Sequence, residues 1–418
     1  MASKRIYLCL AHMSEAGLEQ KYIQEAFDTN WVVPLGPNVN GFEKDLEAFC
    51  GQNKRVVALS SGTAAVHLAL IACGIKPGDE VCVQSFTFCA SSHPITYLGA
   101  TPVFIDSEKD TWNMDPELLE AAIIDRISKT GNKPKAIIPV ALYGMPYKID
   151  KIMSIANKYG IPVIEDAAEG FGSRFNEQVL GTFGRFGVLS FNGNKMITTS
   201  GGGALITESE DEWREIMMYA TQYRESYPYY QHEKIGYNYR MSNICAGIGR
   251  GQMNVANDHI AHHKHVQGLY EKLLSDIHGI EVHSQPSTGE YDSNYWLCTI
   301  TLDENLRIEG EENAYKTVVR GAIGGAAGVI HVANSLITDC QPNNNVEALR
   351  VFLDKAGIEA RPVWKPMHKQ PVYRNAPVYE NGVSEAIFKV GMCLPAGPYV
   401  TDDDVQFIAN TIKSAIVK

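Results

Sequence analysis

Two side chains that could do chemistry stand where predicted buried strands end. Lys195 follows the apolar run 188–191 and precedes the glycine-rich turn 200–203, and Asp166 closes the apolar run that begins at residue 161. A desolvated lysine favours its neutral amine, which is a nucleophile for an aldehyde or ketone. Taken singly, a solvated loop lysine is the commoner case, and the aspartate could equally cap a following helix.

A third motif, Ser60-Ser61-Gly62-Thr63-Ala64-Ala65, follows the apolar run 56–60 and opens a helical pattern. Small residues at a helix N-terminus let backbone N–H groups and hydroxyls surround a phosphate, with help from the helix dipole. The motif lacks the Gly-Lys-Thr/Ser ending of a P-loop and is not a dinucleotide fingerprint. Alone it cannot be told from an ordinary helix cap.

These parts occur in one order along the chain: a phosphate cradle, the aromatic Phe88 after a strand, then Asp166 and Lys195 at strand ends. In an open parallel sheet, ligands bind where the carboxyl ends of the strands meet. A carboxylate at that edge can hold a pyridine nitrogen protonated, which lets the ring of pyridoxal phosphate accept electrons. The combination indicates a pyridoxal phosphate site far more specifically than any one part.

Helical patterns alternate with short buried strands, which are predicted at 56–60, 80–84, 102–105, 136–141, 162–164 and 188–191. Such alternation predicts an α/β fold whose sheet is mostly parallel and covered by helices on both faces. Asp115 before Pro116 marks the start of one helix, and Thr401 before three aspartates marks another.

The pattern changes near residue 255, which predicts two domains. We expect a large domain over 1–255 and a smaller C-terminal α/β domain over 256–418, with the N-terminal segment packing on the smaller one. The glycine- and asparagine-rich stretch 308–345 fits neither a helix nor a strand.

The composition is that of a folded protein. Of the 418 residues, 45% are hydrophobic and 20% charged, which excludes disordered and coiled-coil classes. The formal net charge of −11 repels phosphate backbones and anionic lipid. The start of the chain lacks the apolar core of a secretory signal, and no apolar run is long enough to span a bilayer. We therefore expect a cytoplasmic protein that binds neither nucleic acid nor membrane.

Four histidines that lie close together in the sequence could indicate a metal site. His259, His262, His263 and His265 fall on a predicted helix, and His259 and His263 have the i, i+4 spacing of some zinc ligands. No cysteine, and no carboxylate beyond Asp258, is near enough in the sequence to complete a tight site. We expect a solvent-facing helix and no metal.

With these residues the sequence resembles the sugar aminotransferases of the DegT/DnrJ/EryC1/StrS family, within the fold type I (aspartate aminotransferase-like) group of pyridoxal phosphate enzymes. The resemblance covers nearly the whole chain except 308–345. The matching passages are Leu35-Gly36-Pro37 with Phe42-Glu43, Ser61-Gly62-Thr63-Ala64-Ala65, Pro77-Gly78-Asp79-Glu80-Val81, Gly99-Ala100-Thr101-Pro102-Val103-Phe104, Leu142-Tyr143-Gly144, Glu165-Asp166-Ala167-Ala168, Ser190-Phe191 before Lys195, and Gly236-Tyr237-Asn238-Tyr239-Arg240-Met241-Ser242.

The resemblance implies a role for each matching residue. Lys195 would link covalently to the cofactor and then move a proton between substrate and cofactor carbons. Asp166 would hold the ring nitrogen, Phe88 would cover the ring face, and Glu169 would lie near the cofactor hydroxyl. Asn238 would reach the phosphate from the neighbouring subunit of a homodimer with shared active sites. The other phosphate contacts would come from Gly62, Thr63, Ala64 and Ser190.

The resemblance also implies a reaction. Relatives that dehydrate the sugar carry His in place of the lysine, so Lys195 implies transamination. An amino acid, usually L-glutamate in this family, would give its amine to the cofactor and then to a keto sugar on a nucleotide diphosphate. The runs 361–371 and 294–296 resemble members that aminate C4 of UDP-2-acetamido-2,6-dideoxy-4-keto-hexose, on the route to bacillosamine-type sugars. Lys365 could pair with the diphosphate, and His368 or Trp364 could contact sugar or base.

Several alternatives stay open. Trp364 and Met367 could simply be core of the smaller domain. The sugar could be aminated at C3, or could carry dTDP or GDP, and the stretch 308–345 could alter a substrate wall or the dimer surface. A catalytically silent relative would bind cofactor or nucleotide sugar in a regulatory role, although Lys195, Asp166 and the phosphate cradle together count against it.

Overall fold

The computed structural model describes residues 5–51, 53–315 and 340–417. The helices of these ranges, numbered α1 to α12 in chain order, are Leu18–Asp28, Pro37–Cys50, Gly62–Ala72, His93–Tyr97, Pro116–Thr130, Ile149–Tyr159, Glu210–Ala220, Asn243–Met253, Ala256–Leu274, Asn344–Lys355, Val383–Val390 and Asp402–Ala415. The strands, β1 to β15, are Arg55–Leu59, Glu80–Gln84, Thr101–Ile105, Ala136–Ile138, Ile164–Asp166, Arg174–Phe175, Gln178–Val179, Phe186–Ser190, Gly203–Thr207, Ile280–Val282, Tyr291–Asp292, Cys298–Leu302, Arg361–Pro362, Val378–Tyr379 and Gly391–Leu394. Most of the unassigned stretch 308–345 lies outside the described residues.

The main sheet is formed by two four-stranded sheets, β1-β9-β8-β5 and β14-β3-β2-β4, that meet side by side. Parallel bridges from Ile137 to Val163 and from Val140 to Asp166 connect them. Strand β9 runs antiparallel to both of its neighbours, whereas the other pairings of this sheet are parallel. The predicted α/β fold with a mostly parallel sheet is confirmed.

Alternating side chains give this sheet a core on each face. In β1, Val56 and Ala58 enter one buried cluster, while Val57 and Leu59 enter another. Helix α3 covers the second face and buries its residues 64 to 70 without interruption. A helix that is apolar all round must be enclosed all round. The N-terminus of α3 is thereby fixed beside β8 and β9.

All six predicted strands are present: the strand at 80–84 has the predicted bounds, and the ends of the others differ by at most three residues. Strand β9 was not predicted, because the glycines before it read as a turn. The structure shows why a glycine begins this strand: a Cβ on Gly203 would lie 2.4 Å from the backbone nitrogen of Gly62. The glycine therefore permits close contact between β9 and the first residue of α3.

The two predicted helix caps are confirmed. The Asp115 carboxylate accepts the backbone N–H groups of Glu117 and Leu118 at the start of α5. Thr401 and Asp404 form a reciprocal capping box at the start of α12.

A second sheet, β10-β12-β15-β13, has its own core with α9, α10 and α12. Ile6 belongs to that core and bridges to Ile358, so the N-terminal segment contacts this part of the chain. Strand β14 follows in sequence but pairs with β3 of the main sheet. The domain boundary near residue 255 stays a prediction.

The expectation of a solvent-facing histidine helix is wrong for two of its members. His259 and His263 are buried, and their Nδ1 atoms lie 3.3 Å from the carbonyl oxygen of Met196 and 3.1 Å from that of Tyr295. Helix α9 packs its i, i+4 face inward, while His265 is exposed and pairs with Asp402. Within the described ranges no group of three potential ligands could hold a metal ion.

No helix in the described part of the chain is both long and apolar enough to cross a membrane.

Candidate active site

A cavity of about 350 Å³ opens where β5 and β8 end and α3 begins. Its position matches the expectation that parallel strands present ligands at their carboxyl ends. Among the residues that line it, the ones predicted from the sequence are Gly62, Thr63, Phe88, Asp166, Glu169, Ser190, Lys195 and Trp364.

Lys195 lies in the loop between β8 and β9, with its ammonium group held from two sides. Its Nζ lies 3.3 Å from Oε1 of Glu169 and 4.0 Å from the centre of the Trp296 ring. Trp296 is itself fixed, because its indole N–H donates to the carbonyl oxygen of Asn194 over 2.7 Å. The carboxylate and the aromatic face both attract a cation, so they orient the lysine toward the cavity.

Asp166, the last residue of β5, is almost wholly buried. Its Oδ2 accepts the Ser91 hydroxyl over 2.6 Å, and its Oδ1 accepts the Ala168 N–H over 3.1 Å. Burial raises the pKa of this carboxyl, while the two hydrogen bonds and the charge of Lys195 oppose the rise. A cationic partner in the cavity would stabilise the carboxylate further.

Glu169 connects Lys195 to a strained turn. Its Oε2 accepts the backbone N–H of Tyr143 over 2.8 Å, and burial raises the pKa of Glu169 against the charge of Lys195. Tyr143 has φ of 54°, in the left-handed region, and its hydroxyl accepts the backbone N–H of Trp364 over 2.8 Å. Tyr143 thus joins the floor of the cavity to the segment that carries Trp364.

The start of α3 borders the cavity at the motif predicted to bind phosphate. The Ser61 hydroxyl caps the helix by accepting the Ala64 N–H over 3.0 Å, so this N–H group already has a partner. Ala64 does not line the cavity. Gly62 and Thr63 are the first helical residues, whose N–H groups have no acceptor within a helix. A Cβ on Gly62 would lie 3.1 Å from the Ser190 Cβ, so glycine brings the helix close to the Ser190 hydroxyl.

Besides Ala64, three more predicted residues do not line the cavity. Asn238 bridges to Thr221 in a neighbouring loop. The Lys365 Nζ donates to the carbonyl oxygen of Cys340 over 2.9 Å, and the His368 Nδ1 lies 2.6 Å from the Ser85 hydroxyl. Of the residues predicted to contact substrate, the structure brings only Trp364 to this cavity.

Sequence reasoning gave no role to Ser91, Tyr143 or Trp296, although the last two fell in matching passages. Ser91 gives no signal in the sequence, because its contact with Asp166 joins distant parts of the chain. Trp296 approaches Lys195 only through the packing of the segment before β12.

The residues present fit pyridoxal phosphate. A buried carboxylate suits the ring nitrogen, a helix N-terminus with a serine suits the phosphate, and a lysine suits the aldehyde. Phe88 is 48% exposed and lines the same cavity, where its ring can cover a flat heterocycle. When bound, the cofactor supplies an electron-accepting ring to these residues.

Glu165, the neighbour of Asp166 in β5, should make stability depend on pH. Burial raises its pKa to about 7 from an ordinary 4.5, despite hydrogen bonds from backbone N–H groups. The folded chain therefore keeps a proton that the unfolded chain loses, and stability falls as the pH rises from 4.5 to about 7. In Glu165→Gln this fall should disappear, so the variant should gain about 2 kcal/mol relative to wild type between about pH 5 and pH 8.

Urea unfolding of both proteins at the two pH values measures this gain. An unchanged difference between variant and wild type at both values would contradict the raised pKa of Glu165.

Comparison with known proteins agrees with the site. The chain matches the DegT/DnrJ/EryC1/StrS aminotransferase family over residues 14–316 and 323–413. It is 43% identical over 405 residues to EpsN of Bacillus subtilis (strain 168), which carries the name of a pyridoxal phosphate-dependent aminotransferase; the match covers 96% of this chain and 93% of EpsN. It is 33% identical over 408 residues to the GDP-perosamine synthase of Escherichia coli O157:H7, covering 97% and 98% of the two chains.

A crystal structure agrees as well. A DegT DnrJ EryC1 StrS aminotransferase from Brucella abortus superposes with a TM-score of 0.81 at 27% identity, covering 96% of each chain. The same fold therefore surrounds the lysine, the carboxylate and the helix N-terminus described above. The chain belongs to the DegT/DnrJ/EryC1/StrS aminotransferase family.

Proposed function

We propose that this pyridoxal phosphate-dependent sugar aminotransferase moves the amine of L-glutamate to C4 of UDP-2-acetamido-2,6-dideoxy-4-keto-hexose, for the synthesis of a surface polysaccharide or glycan. The observation that carries amine transfer is the position of Lys195 in the cavity, 3.3 Å from Glu169 and within reach of the space beside Asp166. A lysine there can take and return a proton, as transamination requires.

The polar groups of the cavity would divide the tasks of this reaction among them. Lys195 moves the proton, and Glu169 and Trp296 hold its amine in place. Asp166 would hold the ring nitrogen of the cofactor protonated, which is the state in which the ring accepts electrons. The N–H groups at the start of α3 would bind the phosphate and so anchor the cofactor.

An aromatic wall supports a sugar substrate. Phe88 and Trp364 both line the cavity, and their ring centres lie 5.4 Å apart. Such faces pack against the apolar faces of sugars and against bases. Met367, by contrast, is buried in the core of the main sheet, so it serves packing there and not in the smaller predicted domain.

The assignment of the UDP-linked 4-keto acetamido sugar as substrate rests on the resemblance of the runs 361–371 and 294–296 to family members that aminate this sugar at C4. The name of the Escherichia coli relative, GDP-perosamine synthase, favours a GDP-linked sugar as the alternative. Amination at C3 and a dTDP-linked sugar are the other candidates.

A spectral titration separates these substrates. The enzyme is first converted to its aminated cofactor form with glutamate, which removes the visible absorbance of the lysine-bound cofactor. It is then titrated with UDP-2-acetamido-4-keto-6-deoxy-hexose, and separately with the GDP- and dTDP-linked 4-keto-6-deoxy sugars. We expect the absorbance to return at a lower concentration of the UDP sugar than of the GDP or dTDP sugar. Return with the GDP or dTDP sugar alone would overturn the substrate and keep the enzyme class.

We also infer a homodimer in which Asn238 serves the partner's site. Asn238 follows a surface stretch of large exposed side chains, and such patches mark protein interfaces. These side chains are Tyr227, Tyr229, Tyr230 and Ile235.

Hybrid dimers test the shared site. Lys195→Ala and Asn238→Ala chains are refolded together, and cofactor affinity and turnover are measured. If Asn238 acts across the interface, each hybrid contains one site with both native residues, so sites of wild-type affinity and turnover should appear on mixing. If no such sites appear while hybrids form, Asn238 acts within its own chain or not at all.

A further inference from the structure

Two hydroxyl groups lie in a row behind Asp166. The Ser91 Oγ lies 2.6 Å from Oδ2 of Asp166, and the Thr87 Oγ1 lies 2.8 Å from the Ser91 Oγ. Ser91 is 1% exposed and Thr87 is 2% exposed, so bulk water does not compete for these hydrogen bonds. Both residues nevertheless border the cavity, as Asp166 does.

The direction of the row follows from proton counting. A carboxylate can only accept, so the single Ser91 proton points to Asp166. The Ser91 oxygen then accepts from Thr87, whose own proton points to Ser91. Each hydroxyl that donates while accepting is a stronger donor than an isolated one. The two hydroxyl groups therefore present a strengthened hydrogen-bond donor to one carboxylate oxygen of Asp166.

We propose that Ser91, oriented by Thr87, is a positioning residue that fixes the Asp166 carboxylate and keeps it ionised toward the cofactor's ring nitrogen. Ser91 does not touch the reacting atoms and acts through Asp166. The inference rests on the enzyme class and is independent of which sugar is aminated.

The other groups facing Asp166 show why the hydroxyl matters. Burial disfavours the charged carboxyl and raises its pKa, and the Ser91 hydrogen bond is foremost among the effects that lower it again. Lys195 also favours the carboxylate of Asp166, and the negative charge of Asp166 in turn raises the pKa of nearby Glu169. Bonding of Lys195 to the cofactor would replace its free ammonium group, whereas the hydrogen bonds from Ser91 and Ala168 would remain in place.

Ser91→Ala removes the donor and leaves the backbone of the Cys89–Ser91 turn unchanged. We expect the cofactor to bind about tenfold more weakly near neutral pH. The acid limb of the binding profile, where affinity falls as Asp166 is protonated, should move up by about one pH unit. Titration of the cofactor-free protein with pyridoxal phosphate across a pH series, followed by the absorbance of the lysine-bound form, measures both effects.

Three further variants make the test specific. Ser91→Thr keeps the hydroxyl and should restore the wild-type profile. Thr87→Val keeps the shape but removes the second hydroxyl, and should shift the profile in the same direction by less. Ser92→Ala removes an adjacent buried serine whose hydroxyl donates to the Cys89 carbonyl, and should leave the profile unchanged.

The outcomes are decisive in both directions. A Ser91→Ala profile that matches that of Ser92→Ala, or an equal shift in Ser91→Ala and Ser91→Thr, would overturn the proposal. If Ser91→Ala does not fold, an unshifted Thr87→Val profile overturns it and a shifted one supports it. Absence of lysine-bound cofactor in the wild-type protein would instead refute the enzyme class.

Discussion

Replacement of Lys195 by alanine is expected to lower amine transfer by about 10⁴-fold or more. The loss should be this large because we propose that the same side chain bonds to the cofactor and carries the proton. Its Nζ lies within a cavity lined by Asp166 and Glu169, and no other lysine lines that cavity in the described ranges. The variant should also lose the visible absorbance of the lysine-bound cofactor.

Single-turnover kinetics with glutamate, together with an absorbance spectrum, measure both losses. Lys148→Ala is the matched control, because Lys148 is also partly buried and is paired with Glu108 and Asp110, but lies outside the cavity. Glutamate-driven turnover that persists in the Lys195→Ala variant would contradict the assignment of Lys195 as the catalytic lysine. A wild-type protein that shows no turnover, and a variant that binds sugar nucleotide equally well, would instead favour a silent relative.

Replacement of Asp166 by asparagine is expected to lower turnover by about 10³-fold. Asparagine keeps the volume and can still accept from Ser91 or Ala168, but it has no charge to hold the ring nitrogen protonated. The electron-accepting capacity of the ring then falls, and with it the stabilisation of the transition state. Cofactor affinity should fall as well, because a buried charge pair is lost.

Glu165→Gln is the control for this substitution. Glu165 is equally buried and adjacent in β5, but its Oε2 accepts the backbone N–H of Phe183 and it does not line the cavity. Steady-state kinetics of both variants with saturating cofactor should show the loss in Asp166→Asn only. Comparable losses in the two variants would mean that the strand is sensitive to any replacement of a carboxyl by an amide, and would remove the special role of Asp166.

The sequence predicts the site well where backbone geometry determines it. Asp166 and Lys195 follow strands, and the ends of parallel strands meet, so their approach to one cavity could be expected. The Gly62 and Thr63 cradle follows from local helix geometry in the same way.

Contacts between distant segments could not be predicted. Ser91 meets Asp166, and Trp296 meets Lys195, only after segments far apart in sequence pack together. The left-handed conformation of Tyr143 could not be predicted either, because the position is not a glycine. A hydrogen bond from its backbone N–H to Glu169 stabilises this conformation. The prediction that His259 and His263 face solvent was wrong, because carbonyl partners from distant segments let both side chains lie inside.

The most direct test of the central claim follows the nitrogen atom. Holoenzyme is incubated with ¹⁵N-labelled L-glutamate and UDP-2-acetamido-4-keto-6-deoxy-hexose, or with the GDP or dTDP sugar if that one responded in the titration, and the sugar nucleotide is analysed by mass spectrometry. Our account predicts an amino sugar that carries the label, formed by the wild type and absent with Lys195→Ala. A labelled product that forms equally with Lys195→Ala, or a keto sugar left unaminated with all three nucleotides, would contradict it.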